Sequence, residues 1–285
     1  MPKTFRGGLA MSAAAGLVVL LAVVAEHHPY ADDMAQPFRP AATQTAPGAP
    51  GGPDAVAEHF DGTPAVGTFV DADEDLTDHS CTGTVIESPQ GNLIITAAHC
   101  AIQAGRSLFV PGYNRTKSAA EQPYGTWQVD RTWVDSRYYA ANDRDGDGGT
   151  DYDVMFVRVK PDRAGRSAAS VTGAHRLART PDYENDEITL IGYPWSSKDP
   201  EDRAVRCTVP TTRLPGHDQL QVTCDGYASG VSGGPWLRNF DGTKGEVIGV
   251  IGGLQRGGPT DQISYSPFIG NAAFELFDRA IHDQS

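Results

Sequence analysis

Gly230-Val231-Ser232-Gly233-Gly234-Pro235-Trp236, late in the chain, holds one serine between glycines. Because glycine has no Cβ, a substrate carbonyl can approach the serine hydroxyl while backbone N–H groups stay free beside it. The stretch therefore predicts a nucleophile at Ser232. A tight turn without chemistry is the alternative, and residues elsewhere in the chain decide between the two.

The position of the partner residues indicates which kind of serine site this is. A G-x-S-x-G pattern also occurs on the strand-to-helix turn of α/β-hydrolases, where the acid and the histidine follow the serine. Gly233, Gly234 and Pro235 begin a helix poorly, and a single histidine, His282, follows Ser232. The partners are therefore expected upstream.

Two upstream motifs supply a candidate base and a candidate acid. His99 ends an apolar strand, and Asp153 directly precedes a second one, so both side chains would be held by buried strands. Asp153 is preferred to Asp151, which lies further from the apolar run; its carboxylate would fix the imidazole tautomer. A structural histidine and a strand-capping aspartate are the alternatives for either residue alone. The motifs are Ile94-Ile95-Thr96-Ala97-Ala98-His99-Cys100 and Thr150-Asp151-Tyr152-Asp153-Val154-Met155-Phe156-Val157.

Short apolar and β-branched segments, separated by Gly, Pro, Asn and Asp, recur from about residue 64 onward. This spacing is typical of all-β sandwiches and barrels and not of alternating βαβ units. One helix is expected at the C-terminus, with Asn271 as N-cap and Phe274, Phe277 and Ile281 on one face. The predicted strands are 65–70, 82–87, 93–96, 107–110, 126–134, 153–159, 187–192, 204–210, 219–224, 235–237, 246–252 and 262–265.

The first 59 residues are expected to lie outside the folded part. Residues 1–25 have the basic start, apolar run and small residues of a cleaved signal peptide, so the protein is expected to be secreted. An uncleaved membrane anchor is the alternative because the apolar run approaches spanning length. Residues 26–59, rich in Ala, Pro and Gly, predict a disordered leader, a tether or a removable propeptide, and the last would make the chain a zymogen.

The four cysteines follow an export signal, and two disulfides are therefore expected. Four cysteines allow three pairings, of which the local one closes two loops of similar size. A zinc site is the alternative, but no C-x-x-C pair or histidine cluster supports it. The cysteines are Cys81, Cys100, Cys207 and Cys224.

The formal net charge is −13 at neutral pH. Such a charge opposes binding to nucleic acid or to an anionic membrane surface, so neither is an expected partner. Once the signal is removed, no stretch could span a membrane. We expect a monomer without a cofactor.

The order His99, Asp153, Ser232 resembles the secreted chymotrypsin-like or trypsin-like serine proteases, from about residue 62 to 280. The resemblance implies two six-stranded antiparallel β-barrels, 60–165 with the histidine and the aspartate and 166–285 with the serine and the C-terminal helix. Three further stretches resemble the bacterial branch that includes the glutamyl endopeptidases: Phe109-Val110-Pro111-Gly112-Tyr113, Ile191-Gly192-Tyr193-Pro194 and Gly249-Val250-Ile251-Gly252-Gly253.

This resemblance implies a serine endopeptidase that cleaves protein or peptide substrates through an acyl-enzyme. Ser232 would attack the carbonyl, His99 would carry the proton, and the N–H groups of Gly230 and Ser232 would form the oxyanion hole. Ile251, Gly252 and Gly253 would pair with an extended substrate. The implied specificity-pocket residues are Gly226, Tyr227, Ala228, Val250, Ile251, Gly252, Gly253, Ile263 and Tyr265.

Two departures from the family pattern bear on activation and specificity. The family usually has aspartate before the serine; Val231 cannot form that ion pair with a freed N-terminus, so activation by N-terminal insertion is not expected. No aspartate lies in the pocket stretches, and Val250 stands where the glutamyl enzymes use histidine. Ile263 would make the pocket shallow, so the predicted preference is for a neutral side chain of modest size.

An acidic loop before Asp153 resembles the first nine positions of an EF-hand. Val154 stands at the twelfth position in place of glutamate, and no flanking helices are evident. A solvated loop is expected, with calcium binding as a minor hypothesis. The candidate ligands are Asp143, Asp145, Asp147 and Asp151.

Two other functions remain open from the sequence. A catalytically silent extracellular binding protein could use the same fold, although the intact His99, Asp153 and Ser232 argue against it. A secreted serine esterase is the other alternative, because the same acyl chemistry serves esters.

Overall fold

The computed structural model describes residues 55–72, 76, 78–140 and 149–283, which all belong to one compact unit. Within this part, two sheets carry most of the chain, antiparallel except where β8 pairs with β13, and three α-helices pack beside them. The helices are α1 Ser136–Ala140, α2 Ala168–Thr172 and α3 Asn271–His282. The strands are β1 Glu58–Phe60, β2 Val66–Asp71, β3 His79–Ile86, β4 Leu93–Thr96, β5 Ser107–Pro111, β6 Trp127–Val134, β7 Met155–Val159, β8 Arg176–Leu177, β9 Asn185–Gly192, β10 Ala204–Arg213, β11 Gln219–Thr223, β12 Pro235–Arg238, β13 Glu246–Val250 and β14 Ile263–Pro267.

The first sheet is a closed six-stranded barrel in the order β2-β3-β4-β7-β6-β5. Closure comes from β2, which pairs antiparallel with β3 on one side and with β5 on the other. Its interior is filled by large apolar side chains without exposed surface, among them Phe69, Ile94 and Phe109. Their neighbours in β4 and β5 are also apolar, so these strands were predictable as short apolar runs bounded by turn residues.

The second sheet contains the six strands expected for the second barrel, β9 to β14, together with β8 and β1. Its order is β14-β11-β10-β9-β12-β13-β8, with β1 paired to β10. The sheet curls until β13 and β14 approach, where Gly252 N–H donates to Tyr265 O at 3.0 Å and Val250 N–H donates to Ser266 Oγ at 2.9 Å. No continuous ladder joins these two described strands, because the chain turns after β13 into a 3₁₀ helix, Leu254–Arg256, with Gly253 at φ +92°.

All twelve predicted strands are present, and the all-β class with a C-terminal helix is confirmed. The sequence missed β1, β8, α1 and α2, which are short and lack apolar periodicity. The predicted N-cap of α3 is wrong by one residue. Gly270 occupies the cap, while Asn271 Oδ1 accepts a hydrogen bond from Arg179 Nη1 at 2.7 Å.

The N-terminal boundary of the folded part lies earlier than predicted. The sequence predicts a disordered leader through residue 59, yet β1 pairs with β10 through Glu58 and Arg206, and Ala57 N–H donates to Asp225 O at 2.8 Å. The first strand of the described part therefore belongs to the second sheet. Residues 1–54, with the predicted signal and most of the leader, lie outside the described residues.

Helix α3 packs on the first barrel, although it follows the second sheet in sequence. Its buried face carries Ala273, Leu276 and Ala280, and the ring of Phe277 lies 5.6 Å from that of Phe156 in β7. One apolar cluster contains residues of α3, of the first barrel and of the second sheet, so the two halves share a core. Among the described residues, no helix is long and apolar enough to cross a membrane.

Two disulfides are present, in the local pairing. Cys81 of β3 bonds to Cys100 beside His99, and Cys207 of β10 bonds to Cys224 after β11. Each closes a loop of modest size, which on the chain-entropy model stabilises the fold by about 3 kcal/mol. Because the sulfurs of Cys81 and Cys100 are bonded to each other, the cluster of Cys81, His99 and Cys100 offers no thiolate to a metal.

His175 makes the stability of the fold depend on pH. Burial lowers its pKa to about 4, with Asp241 opposing the shift. Below the ordinary value of about 6.5 the unfolded chain therefore binds a proton that the folded chain does not. This stability contribution is complete above about pH 6.5 and declines as the pH falls towards 4, by at most about 1.4 kcal/mol per pH unit.

When the pH is lowered from 7 to 4.5, we expect the free energy of unfolding to fall less in His175→Leu than in the wild type. Urea denaturation at each pH is the measurement. Carboxylates that titrate in this range affect both proteins equally and cancel in the comparison. An identical pH dependence in the two proteins would contradict the assignment.

Candidate active site

His99 and Asp153 meet at one end of the first barrel. His99 lies in a 3₁₀ turn, Ala98–Cys100, directly after β4, and Asp153 lies two residues before β7, which pairs with β4. The Asp153 Oδ2 atom is 2.7 Å from His99 Nδ1, and Oδ1 accepts the His99 backbone N–H at 2.8 Å. Two bonds between the same residues fix both the position and the tilt of the imidazole. The Asp153 side chain is 1% exposed and that of His99 is 8% exposed.

A third N–H group reaches the same carboxylate from the second sheet. Gly253 N–H donates to Asp153 Oδ2 at 2.8 Å. A Cβ on the neighbouring Gly252 would lie 2.9 Å from that oxygen, so this close approach of the backbone requires glycine. Asp153 therefore joins the histidine loop of the first barrel to the segment that follows β13.

This bond changes the role predicted for Ile251, Gly252 and Gly253. Their N–H groups all donate within the protein, to Gly234 O, Tyr265 O and Asp153 Oδ2 respectively. They are therefore not available as donors to an added substrate strand, in contrast to the expectation from the sequence. Within the described chain the Gly252 carbonyl accepts no hydrogen bond, so it is the group of this segment left for a substrate N–H.

The turn that carries Ser232 is anchored on the first barrel by Thr82 of β3. Thr82 N–H donates to Ser232 O at 2.7 Å, and its hydroxyl donates to Gly230 O at 3.0 Å. The same hydroxyl accepts the Tyr193 N–H at 2.9 Å. The neighbouring Gly233 packs against Thr96 and Ala97, just before the histidine turn. The structure thus brings the serine turn next to the turn that carries His99.

The ring nitrogen of His99 opposite Asp153 is available. Nε2 is buried and has no hydrogen-bond partner among the described residues, Ser232 included. Ser232 itself is half-buried. Catalytic hydrogen bonds are often long or misaligned in ligand-free sites and tighten when substrate binds.

Two backbone donors of the serine turn are likewise unused. The N–H groups of Gly230 and Ser232 donate to no atom of the described chain. Gly230 has φ +105°, and a Cβ there would lie 2.5 Å from Trp195 N and 2.7 Å from Tyr193 O. Only glycine fits this position. The pair could stabilise an oxyanion that develops beside Ser232.

Val231 fills the position before the serine by apolar packing. It is 4% exposed and belongs to a cluster with Tyr227 and Ile251. A Cβ on Gly192 would approach it to 2.7 Å. The turn is therefore held by close packing at Val231, where an aspartate would need a cation to balance its charge.

The residues predicted for the specificity pocket divide into two groups. Gly226 is exposed, and Ala228 and Ile263 are half-buried, so these three can contact a ligand. The side chains of four others are buried and offer little surface to a ligand. They are Val250 at 0%, Ile251 at 2%, Tyr265 at 4% and Tyr227 at 5% exposure.

Two of the four buried side chains, those of Val250 and Tyr265, belong to strands, whereas Tyr227 and Ile251 lie in the segments outside them. Val250 ends β13 within the core shared by the two halves. The Tyr227 hydroxyl donates to Leu190 O at 2.9 Å, and burial raises the pKa of this phenol well above its usual range. Burial likewise raises the pKa of Tyr265. These phenols are neutral structural groups.

Gln219, in β11, is a site residue that the sequence did not single out. Its side chain has no exposed surface, and Nε2 donates to Thr150 Oγ1 at 3.0 Å and to Asp151 Oδ1 at 2.7 Å. Its Oε1 accepts the Leu254 N–H at 2.8 Å. It therefore ties the turn before Asp153 to the segment after β13. A glutamine at the start of a strand leaves no pattern from which this could be predicted.

The calcium hypothesis falls largely outside the described residues, since Asp143, Asp145 and Asp147 belong to the undescribed segment 141–148. Of the four candidate ligands, Asp151 is described, and one of its oxygens already accepts from Gln219.

Comparison with known proteins agrees with this geometry. A family model described as a trypsin-like peptidase domain matches residues 81–250. Protease Anisep from Arthrobacter nicotinovorans is similar in structure, with TM-score 0.63, 20% identity, and coverage of 79% of this chain and 99% of that one. A thermostable serine protease from an extremophilic microorganism has TM-score 0.62 and 19% identity, covering 78% and 99%. A Glu endopeptidase has TM-score 0.59 and 19% identity, covering 80% and 97%.

Identities this low establish the fold alone, and no curated protein matches the sequence. The family match itself spans more than half of the chain and includes His99, Asp153 and Ser232. The barrel, the curled sheet and the structural neighbours confirm the expected chymotrypsin-like fold. The chain therefore belongs to the family of trypsin-like peptidase domains.

Proposed function

We propose that the protein is an exported serine endopeptidase with Ser232 as nucleophile, His99 as general base and Asp153 as the residue that orients it. The main support for this proposal is the pair of hydrogen bonds between Asp153 and His99, at 2.7 and 2.8 Å. It leaves Nε2 as the one ring nitrogen able to take a proton. The serine turn lies against the adjoining residues, Thr96 and Ala97.

The reaction follows from these positions. Ser232 Oγ attacks the peptide carbonyl carbon as its proton passes to His99 Nε2, and Asp153 stabilises the imidazolium. The N–H groups of Gly230 and Ser232 donate to the oxyanion. His99 then gives the proton to the leaving amine, the C–N bond breaks and an acyl-enzyme forms. Water then attacks the acyl carbon while His99 takes its proton. The bond to Ser232 Oγ breaks, His99 returns the proton to Oγ, and the acid is released.

We assign binding of the acyl half of the substrate to the side of the serine turn that the segment after β13 contacts. The Gly252 carbonyl would accept a substrate N–H, and Gly226, Ala228 and Ile263 would line the specificity pocket. No acidic side chain is among these three residues, which supports a preference for a neutral residue before the scissile bond.

Export is proposed from the N-terminal signal, residues 1–25. Two disulfides support an oxidising destination, because such bonds persist outside the cytosol. The segment 26–54 would be a leader or propeptide. Since residues 55–60 belong to the second sheet, we place the processing point before Ala55.

We expect the purified chain to cut an unfolded protein and Ser232→Ala to cut none of it. Asp153→Asn should lower kcat/KM by about 10⁴-fold, because the amide would hold the wrong imidazole tautomer. Mass spectrometry of the products and an active-site serine probe are the measurements.

Each alternative gives a different outcome. Hydrolysis of small esters without any cleavage of protein would indicate an esterase. Failure of the wild type to react even with the serine probe would indicate a binding protein on this fold and would contradict the proposal.

The specificity prediction is tested with the same products. We expect neutral side chains of modest size before the cut bonds, and Ile263→Ala should raise kcat/KM for a large apolar residue there by about 10-fold, because it deepens the pocket. A wild-type product set dominated by Arg, Lys or Glu would overturn this prediction.

Gln219→Leu tests the bridge to the Asp153 turn. Leucine keeps the approximate volume but leaves Thr150, Asp151 and Leu254 without their partner, so we expect kcat to fall about 10-fold or more through misplacement of Asp153. Gln221→Leu is the matched control, two residues along the same strand and also buried, and its kcat should stay near that of the wild type. Equal losses in the two variants would indicate a purely structural role for Gln219.

A further inference from the structure

Trp195 is a large aromatic side chain that remains on the surface beside the proposed oxyanion donors. It follows β9 and is 40% exposed, one of three large apolar side chains exposed to this degree among the described residues. A single exposed aromatic residue is common on protein surfaces. Its place next to the serine turn is what gives this one a candidate role.

The indole is held rigidly in this position. Its Nε1–H donates to Ser80 O at 2.8 Å, and the Trp195 backbone N–H donates to Ser229 O at 2.7 Å. The Trp195 carbonyl accepts the N–H groups of Lys198 and Asp199, both at 2.8 Å. The only polar atom of the ring is therefore already used, and its exposed surface is apolar and fixed before any ligand binds.

The ring contacts the serine turn directly. A Cβ on Gly230 would lie 2.6 Å from Trp195 Cδ1, so the ring edge rests against the residue whose N–H is a proposed oxyanion donor. A group attached to a carbonyl carbon at Ser232 would thus lie within reach of the indole. Contacts on the opposite side of the serine turn decide whether this group belongs to the acyl half or to the leaving half of a substrate.

The acyl half lies away from Trp195. The segment after β13 contacts the other side of the serine turn, where Gly233 N–H donates to Ile251 O at 2.7 Å. Trp195 instead bonds to Ser80, whose neighbour Cys81 is linked by a disulfide to Cys100, beside His99. His99 is the residue that would protonate the leaving amine. The leaving half of the peptide therefore passes Ser80 and Trp195.

We propose that Trp195 is a specificity-determining residue that packs against the first residue after the scissile bond and favours an apolar side chain there. This inference rests on the proposed function, since it takes Ser232 as the nucleophile. The contact supplies apolar burial and no hydrogen bond, so it selects for side-chain size and hydrophobicity and not for charge.

Acyl transfer to an added amine tests this contact, because the acceptor amine occupies the place that the leaving amine has vacated. An ester of a blocked neutral amino acid forms the acyl-enzyme, and leucinamide or glycinamide then competes with water for the acyl carbon. The amine nitrogen bonds to that carbon, the bond to Ser232 Oγ breaks, and the proton of the amine returns through His99 to Oγ.

The readout is the ratio of transfer to leucinamide over transfer to glycinamide, measured for each enzyme by product analysis. We expect a ratio of about 10 in the wild type, most of it kept in Trp195→Phe, and a ratio near about 2 in Trp195→Ala. Tyr139→Ala removes an aromatic side chain of similar exposure, 41%, on α1 and serves as the control with an unchanged ratio.

A ratio in Trp195→Ala equal to that of the wild type overturns the inference. If Trp195 only supported Gly230, its loss would slow hydrolysis and both transfers together and leave the ratio unchanged, so a merely structural role is also excluded by this measurement. Absence of any ester hydrolysis by the wild type overturns the proposed function together with the inference, whereas hydrolysis with an unaltered ratio overturns the inference alone.

Discussion

The Asp153 carboxylate is the point on which the arrangement of the site depends. It accepts three N–H groups, two from His99 and one from Gly253, at 2.7 to 2.8 Å. Because the side chain is 1% exposed, its negative charge is stable only while these donors surround it. The same bonds that satisfy a buried charge thus hold the imidazole and bring the segment after β13 against the first barrel. Gln219 reinforces this contact from β11, so the aspartate turn is fixed from both halves of the molecule.

A second contact places the serine relative to the histidine. Thr82 lies in β3, and its backbone and hydroxyl bond to Ser232 O and Gly230 O. The disulfide from the adjacent Cys81 to Cys100 holds the other side of the histidine turn. Two neighbouring residues of one strand therefore control both turns. This geometry explains how residues far apart in sequence, on different sheets, can be held to the small tolerances that proton transfer requires.

The sequence could predict what is encoded locally. Apolar and β-branched segments bounded by turn residues located twelve strands, and the three motifs located His99, Asp153 and Ser232, because each lies where a buried strand or a glycine turn leaves a recognisable pattern. Long-range backbone pairing leaves none: β1 joins β10 through main-chain bonds from Glu58 to Arg206, and no apolar periodicity marks it. The burial of Val250 was missed for a related reason. Motif position assigns a residue to a pocket, but tertiary packing buries both faces of β13 and with them the Val250 side chain.

Val231 shows how such a site can be formed without a charge pair. An aspartate at this position would need a cation in a buried environment, where an unpaired charge is costly. Here the valine packs against Gly192 within an apolar cluster, and the Thr82 N–H and hydroxyl donate to the carbonyls on either side of it, so packing and neutral hydrogen bonds hold the turn. Neither interaction depends on a newly freed N-terminus. The free N–H groups of Gly230 and Ser232 are consequently a property of the folded chain itself.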